Sequence, residues 1–510
     1  MSKVDFTALF SSLTESVLTT SRPLGESELS YAVPRQSSGF NDSHTIVPLD
    51  IPAGHPIYDE EVILATAVIR LRHPLLASRV SFTGAVPHFV CDTPITEASA
   101  VHNAKSTIAF STFRDRNAEA AALQVQYVNP DPRHVFDIRS TVYAISWSKG
   151  VGIAEGQYIL GMQTTHFVAD ARIRMNVVRH LLELLSSPGR AQAELAAFFA
   201  LPLKPLQIPE PLEKLIPDID PAEYAKGKQA FDELMEGSSK PLHGITLQVD
   251  GAIGKAMFKP TLLHHAWSPS ESAKILRACK ARGVTVTHVC TAAMAIACIQ
   301  DATTPEAQQN ATDDDLYFNA SLAMDLSSRF QPTTNSTEYE TATRIGMLTM
   351  FIHAPRSAAS SADRLSALWL LAGQCKKISS AFTQSPYLWT FLKEAREVIV
   401  KGYYTRVAGQ PYVPFITSMG DCTKVLPQRY PVESSNTTGH STSHRELVVV
   451  DLLVGTKADL NTDVMRLWTY DGKLHLQFGY DSSRRNPDSV ILYFQRVSET
   501  LTLIGLEEMP

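Results

Sequence analysis

The sequence predicts an α+β fold with mixed sheets, arranged as two lobes. Three observations lead there. Strand and helix signals are interspersed without the regular βαβ succession of a parallel sheet. A proline-dense stretch with Pro202, Pro205, Pro209, Pro211, Pro217 and Pro221 interrupts the chain. Proline at that density continues neither a helix nor a central strand, so 206–250 reads as a crossover linker between a lobe at 1–205 and a second at 251–510. The 510 residues are 44% hydrophobic and 19% charged, which supplies a sizeable core and excludes wholesale disorder.

The elements follow from local pattern. The first forty residues are polar and weakly periodic, and read as a mobile arm or an outer layer. Val62, Ile63, Ala67 and Leu71 recur at helical spacing, with Pro74 as the stop. A strand is expected around Ser81–Val90. Two β-rich runs, 141–147 and 157–165, flank a glycine-containing loop and read as a hairpin. The second leads into an amphipathic helix whose apolar face is Ile173, Val177, Val178, Leu181, Leu182 and Leu185. In the second half, strand signals at Ala256–Trp267 precede two helices broken at Gly283, the second rich in small residues and so expected to be buried. Residues 315–330 read as a strand running into a turn. Further strands are expected at Ile345–Ile352, Tyr412–Ser418, Glu446–Leu453, Val464–Tyr470 and Lys473–Tyr480, and a final helix at Asp488–Leu503.

Charge and cysteine usage narrow the function classes. The chain has 46 Lys+Arg against 52 Asp+Glu, a net charge of −6, and lacks the basic runs that phosphate backbones require, so no nucleic-acid partner is expected. No apolar run reaches ~18 residues, so no membrane span is expected, and the N-terminus lacks the apolar region of a signal peptide. None of the six cysteines forms a CxxC pair or shows zinc spacing. Cys290 and Cys298, in an alanine-rich stretch, read as small buried hydrophobes. A cytoplasmic monomer without a metal is the expectation.

Several catalytic signatures are missing. There is no GxSxG elbow, no GxxxxGK[ST] loop, no GxGxxG in a strand-to-helix turn and no HExxH. What remains is HxxxD, present as His55/Asp59, His88/Asp92 and His166/Asp170. With 16 histidines, about one such match arises by chance, so context decides. Asp59 suits the first turn of a helix. His88 lies within a strand, where i and i+4 diverge. His166 ends an apolar strand, precedes a helix and is flanked by small residues, which suits an imidazole facing a cleft. A satisfied core histidine is an equal alternative on these grounds.

Other segments extend the pattern. They are Arg72-His73-Pro74-Leu75-Leu76, the stretch Gly283–His288 before an alanine-rich helix, Met324–Arg329, Gly346, and Ser418-Met419-Gly420. Their order and spacing resemble the CoA-dependent acyltransferase superfamily, which includes chloramphenicol acetyltransferase, the BAHD acyltransferases and condensation domains. Within it the chain is most similar to enzymes of the fungal trichothecene 15-O-acetyltransferase type. Four positions depart from the family pattern. Ala171 replaces the glycine after the aspartate, and Thr165 replaces the second histidine of condensation domains. Ser327 replaces an arginine, and Gln477–Asp481 echoes DFGWG only in part.

The resemblance implies two chloramphenicol-acetyltransferase-like lobes with a tunnel between them. It implies an acyl-CoA, acetyl-CoA above all, as co-substrate and a small-molecule alcohol such as a sesquiterpenoid as acceptor. His166 would be the general base. Asp170 would be structural, paired with Arg72 or Arg329. Ser418 or a backbone N–H would meet the oxyanion. Two other readings stand beside this one: a condensation-type enzyme using a carrier-protein thioester, and a non-catalytic binding protein on the same scaffold.

Overall fold

The hairpin expected from the alternating runs at 141–165 sits at the centre of the first sheet. The computed structural model describes residues 18–35, 39–52, 54–129, 131–239, 243–244, 259–301, 316–330, 342–359, 364–405, 414–432, 445–457 and 463–506. In chain order the first half contains β1 (Thr19–Pro23), α1 (Glu26–Arg35), β2 (Ser43–Asp50), α2 (Asp59–Arg72), β3 (Ser78–Ser81), β4 (His88–Asp92), α3 (Glu97–Lys105), β5 (Ile108–Phe113), α4 (Arg116–Val128), β6 (Tyr143–Gly150), β7 (Gln157–Thr164), α5 (Ala171–Leu185) and α6 (Arg190–Phe199). α7 (Leu212–Leu215), α8 (Pro221–Ser239) and β8 (His243–Gly244) follow. The second half contains β9 (Pro260–Ala266), α9 (Pro269–Ala281), α10 (Val286–Asp301), β10 (Leu316–Asp325), β11 (Ile345–His353), α11 (Arg364–Thr383), α12 (Leu388–Thr405), β12 (Phe415–Asp421), β13 (Arg429–Pro431), β14 (Glu446–Val449), β15 (Leu453–Thr456), β16 (Val464–Tyr470), β17 (Lys473–Asp481) and α13 (Pro487–Leu506).

Two seven-stranded mixed sheets carry the fold, in the orders β13-β14-β2-β7-β6-β5 and β11-β10-β12-β16-β17-β9, with β15 added beside β2 and β8 beside β10. In the first, β6 and β2 both run antiparallel to β7 while β5 runs parallel to β6. The period-2 alternation of β2 sends Val47 and Leu49 towards α2 and α5, and Ile46 towards α4 on the other face. In the second sheet α10, with Val289 to Cys298 buried throughout, lies in the core with α11 and α13. Gly283, at φ +66°, makes the break between α9 and α10. All six cysteines are free and buried.

The structure departs from the expected elements in identifiable places. The N-terminal arm lies outside the described residues up to 17; from Thr19 it pairs with β4 and then forms α1. Around Ser81–Val90 there are two strands, β3 and β4, joined by a turn. The proline-rich segment ends in α8, because Asp220 caps it by accepting from the Ala222 N–H at 2.8 Å and Pro221 takes the first helical position, where its missing N–H costs nothing. Residues 240–242 and 245–250 of the expected linker, 256–258 of the strand expected at Ala256–Trp267, and 412–413 of the strand expected at Tyr412–Ser418 lie outside the described residues. Glu446–Leu453 is two short strands, and both leave the second half to pair with β2 of the first. Chain order and sheet membership therefore part company at 429–456, so the second lobe expected at 251–510 does not keep all of its strands.

Candidate active site

His166 sits in the turn that joins β7 to α5, just past the C-terminal end of an interior strand of the first sheet. Its ring stacks on Tyr31 of α1, with centroids 4.5 Å apart and an interplanar angle of 4°. It lines a cavity of about 120 Å³ together with Tyr31, Asn41, Arg174, Thr417, Met419 and Arg466. A second, largely apolar cavity of about 80 Å³ shares Tyr31, Ile345, Met347 and Phe415 with the first. These shared side chains form a common wall of the two cavities, and the lining residues come from both halves of the chain.

Enclosure and charge set the state of the imidazole. Burial, and then the guanidiniums of Arg174 and Arg466, lower its pKa to about 4. Its Nδ1 is buried and lacks a well-formed hydrogen bond. The residue's own carbonyl partly offsets that lowering by raising the pKa, and that carbonyl accepts from Thr343 Oγ1. The neutral ring keeps one nitrogen lone pair that can act as a base. This carries a pH prediction. Above pH about 4 the folded protein without substrate holds neutral His166, so kcat/KM governed by this base is expected to be nearly equal at pH 5 and pH 7. Stability has the matching sign: the unfolded histidine takes its proton near pH 6.5, so stability falls as pH drops from there towards 4. An acidic limb of kcat/KM at pH 6.5 in a protein still folded would contradict the assignment.

Asp170 is the cap of α5. Its Oδ1 accepts from the Ile173 N–H at 3.0 Å and its Oδ2 from the Arg344 N–H at 3.4 Å. One carboxylate thus ties the His166 turn to residues entering β11 in the second sheet. Burial raises its pKa, partly offset by these backbone N–H groups. The expected arginine partners are elsewhere. Arg72 ion-pairs with Glu194 on α6, and exposed Arg329 donates to the Thr383 carbonyl at 3.2 Å. Each is held on its own side of the fold by a nearer acceptor. The position next to Asp170 is filled by backbone.

Ser418 is also displaced from the expected role. Phe415, Thr417 and Met419 of β12 line the cavity, and strand alternation turns Ser418 to the other face, where its register partner is buried Leu467. Thr417 is the hydroxyl that this strand presents. The other two HxxxD histidines are away from the cavity: His55 Nε2 meets the Leu185 carbonyl at 3.1 Å, and His88 Nδ1 meets the Val86 carbonyl at 2.8 Å.

Among the cavity residues that escaped the sequence reading are Tyr31, Asn41, Arg174, Thr417 and Arg466. Arg174 had a signal. It lies four and seven positions before Val178 and Leu181 on the buried side of α5, and a charge on an apolar stripe marks a site or a buried pair. Tyr31 had none, because its segment lacks periodicity.

Searches by sequence find no matching family model and no matching curated protein. Structure comparison finds trichothecene 15-O-acetyltransferase of Fusarium sporotrichioides, with a TM-score of 0.74 at 16% identity over 95% of this chain and 96% of that one. The fold is that of the CoA-dependent acyltransferase superfamily. Two further members of this fold show its breadth. One is a variant of the starter condensation domain of rhizomide synthetase solved with C8-CoA, with a TM-score of 0.60 at 10% identity over 96% and 95% of the chains. The other is the epimerization domain from the third module of tyrocidine synthetase B, with a TM-score of 0.56 at 12% identity over 96% and 98%. No single described helix of this chain is long and apolar enough to cross a membrane.

Proposed function

We propose that the chain is an O-acyltransferase that moves an acyl group, most simply acetyl, from an acyl-CoA to a hydroxyl of a small secondary metabolite. The observation that carries this is His166: an imidazole held neutral by burial, on the wall of a cavity lined from both sheets. In the proposed step the acceptor oxygen attacks the thioester carbonyl carbon while His166 takes the hydroxyl proton. The tetrahedral intermediate collapses, the C–S bond breaks, and the CoA thiolate recovers the proton from the imidazolium. Ester and free CoA leave, and no acyl-enzyme forms. The Thr417 hydroxyl is the side-chain donor that β12 offers to the oxyanion. Asp170 holds the turn and moves no proton.

A sesquiterpenoid alcohol is the favoured acceptor class, on the similarity to a trichothecene acetyltransferase. The test is release of free CoA from acetyl-CoA with a panel of polycyclic terpenoid alcohols. The described residues gather no three His, Cys, Asp or Glu side chains that could hold a metal ion, and a base and a thioester need none. EDTA is therefore expected to leave the rate unchanged. A loss on chelation that zinc or magnesium restores would overturn this mechanism. Turnover with a carrier-protein thioester but not with acetyl-CoA would move the assignment to the condensation-type reading, which the synthetase neighbours support.

A further inference from the structure

Beside His166 the cavity wall carries two guanidiniums, neither in a salt bridge with a described carboxylate. Arg174 comes from α5 and Arg466 from β16, and each is only 2% exposed. Arg174 donates to Thr45 Oγ1 at 2.9 Å and to the His44 and Ala169 carbonyls at 3.2 and 3.5 Å. Arg466 donates to Gln477 Oε1 at 3.2 Å and to the Thr456 carbonyl at 3.3 Å. All of these acceptors are neutral. Asp170, four residues before Arg174, has both oxygens on backbone N–H groups, and the nearby Asp42 is paired with Arg35. Burial pushes both guanidiniums down: Arg466 to about 9, with Arg174 repelling it, and Arg174 to about 10, where the Asp170 carboxylate offsets part of the effect.

The surroundings are built for this arrangement. A Cβ at Gly479 on β17 would lie 2.9 Å from Arg466 Nη1, so the strand lacks a side chain where the guanidinium lies. Asn41, at φ +66°, lines the same cavity with a buried Nδ2 that has no partner. Like charges buried together are costly unless an anion joins them.

We propose that Arg174, Arg466 and Asn41 form a carboxylate subsite, and that one of the two substrates presents a carboxylate beside the reacting centre. This rests on the acyltransferase reading. Guanidiniums recognise phosphate as well as carboxylate, but the CoA phosphates lie a pantetheine arm away from the thioester, whereas both arginines act on His166 itself. The anion therefore belongs to the acceptor alcohol or to the acyl group. Once bound, it offsets the field that weakens the base, so the base strengthens when substrate is in place.

Binding without turnover tests the subsite separately from the reaction. Benzoate is expected to bind the whole protein about tenfold tighter than benzamide, the worth of one charge-assisted hydrogen bond. Arg466→Gln and Asn41→Ala should reduce that preference. Gly479→Ala, which keeps every charge but displaces the guanidinium, should reduce it too, and melting curves show which variants are folded. Acetyl-CoA and malonyl-CoA give the second arm. A preference for malonyl-CoA that Arg466→Gln removes assigns the carboxylate to the acyl group; benzoate selectivity without that preference assigns it to the acceptor. Equal affinity for benzoate and benzamide with no preference for malonyl-CoA would overturn the subsite, as would preferences that all the folded variants retain. Benzoate selectivity in a protein that transfers no acyl group would sink the enzyme reading and leave the subsite standing.

Discussion

Replacing His166 with alanine is expected to lower acyl transfer by roughly 10²–10⁴, the usual contribution of a positioned general base, with little change in melting temperature. The two halves of this prediction have different causes. The rate falls because no other described imidazole lines the cavity. The fold persists because the ring's packing partner is Tyr31, and its Nδ1 lacks a well-formed hydrogen bond that substitution could break. The His166 carbonyl still accepts from Thr343, so the backbone of the turn keeps its tie to the second half of the chain. Acetyl-CoA affinity should also hold. Rates and melts of His166→Ala beside His55→Ala and His88→Ala decide it. A protein that loses turnover with His88→Ala and keeps it with His166→Ala would place the chemistry elsewhere.

Asp170→Ala is expected to lower both rate and stability, which separates it from His166→Ala. Removing the carboxylate takes the cap from α5, worth about 1 kcal/mol, and strips the Arg344 N–H of its acceptor, a cost of about 1–3 kcal/mol for a buried donor. The turn holding His166 then loses its anchor to residues entering β11, and a misplacement near 1 Å can cost roughly 10² in rate. Asp170→Asn should be milder than Asp170→Ala. Asparagine keeps one carbonyl oxygen for the Ile173 N–H and is itself a favoured cap, and there is no ion pair to an arginine side chain for it to break. Arg72→Gln should leave the rate near normal, because Arg72 pairs with Glu194. Thermal melts and transfer rates on the three variants check the order. An Asp170→Ala protein with an unchanged melting temperature would show that the carboxylate does not hold the turn.

Much of this was legible locally. The hairpin over 141–165, the helix beginning at Asp59, the break at Gly283 and the β16–β17 pair all follow from patterns within a window of ten to twenty residues. The place of His166 in the chain is local too: a strand end, a small-residue turn and an amphipathic helix in sequence set it between β7 and α5, whereas the role of Asp170 as the cap of α5 was not read. The similarity in segment order to the acyltransferase superfamily was visible too, and its fold is the one found.

What the chain could not declare is which distant residues meet. Tyr31 stacks on His166 because β1 pairs with β4 and sets α1 against the site. Ser418 and Thr417 differ by one residue, and the register of β12 against β16 chooses between them. Arg72 and Arg329 looked available to Asp170 until α6 and the Thr383 carbonyl took them. Arg174 and Arg466 are 292 positions apart, 466 − 174, and share one cavity only because β15 crosses to pair with β2 before the chain returns as β16. The sequence alone determined most of the elements and the histidine at the strand end, since each depends on neighbours in the chain. The tertiary structure decided the charge around that histidine, since that depends on strand pairings between residues hundreds of positions apart.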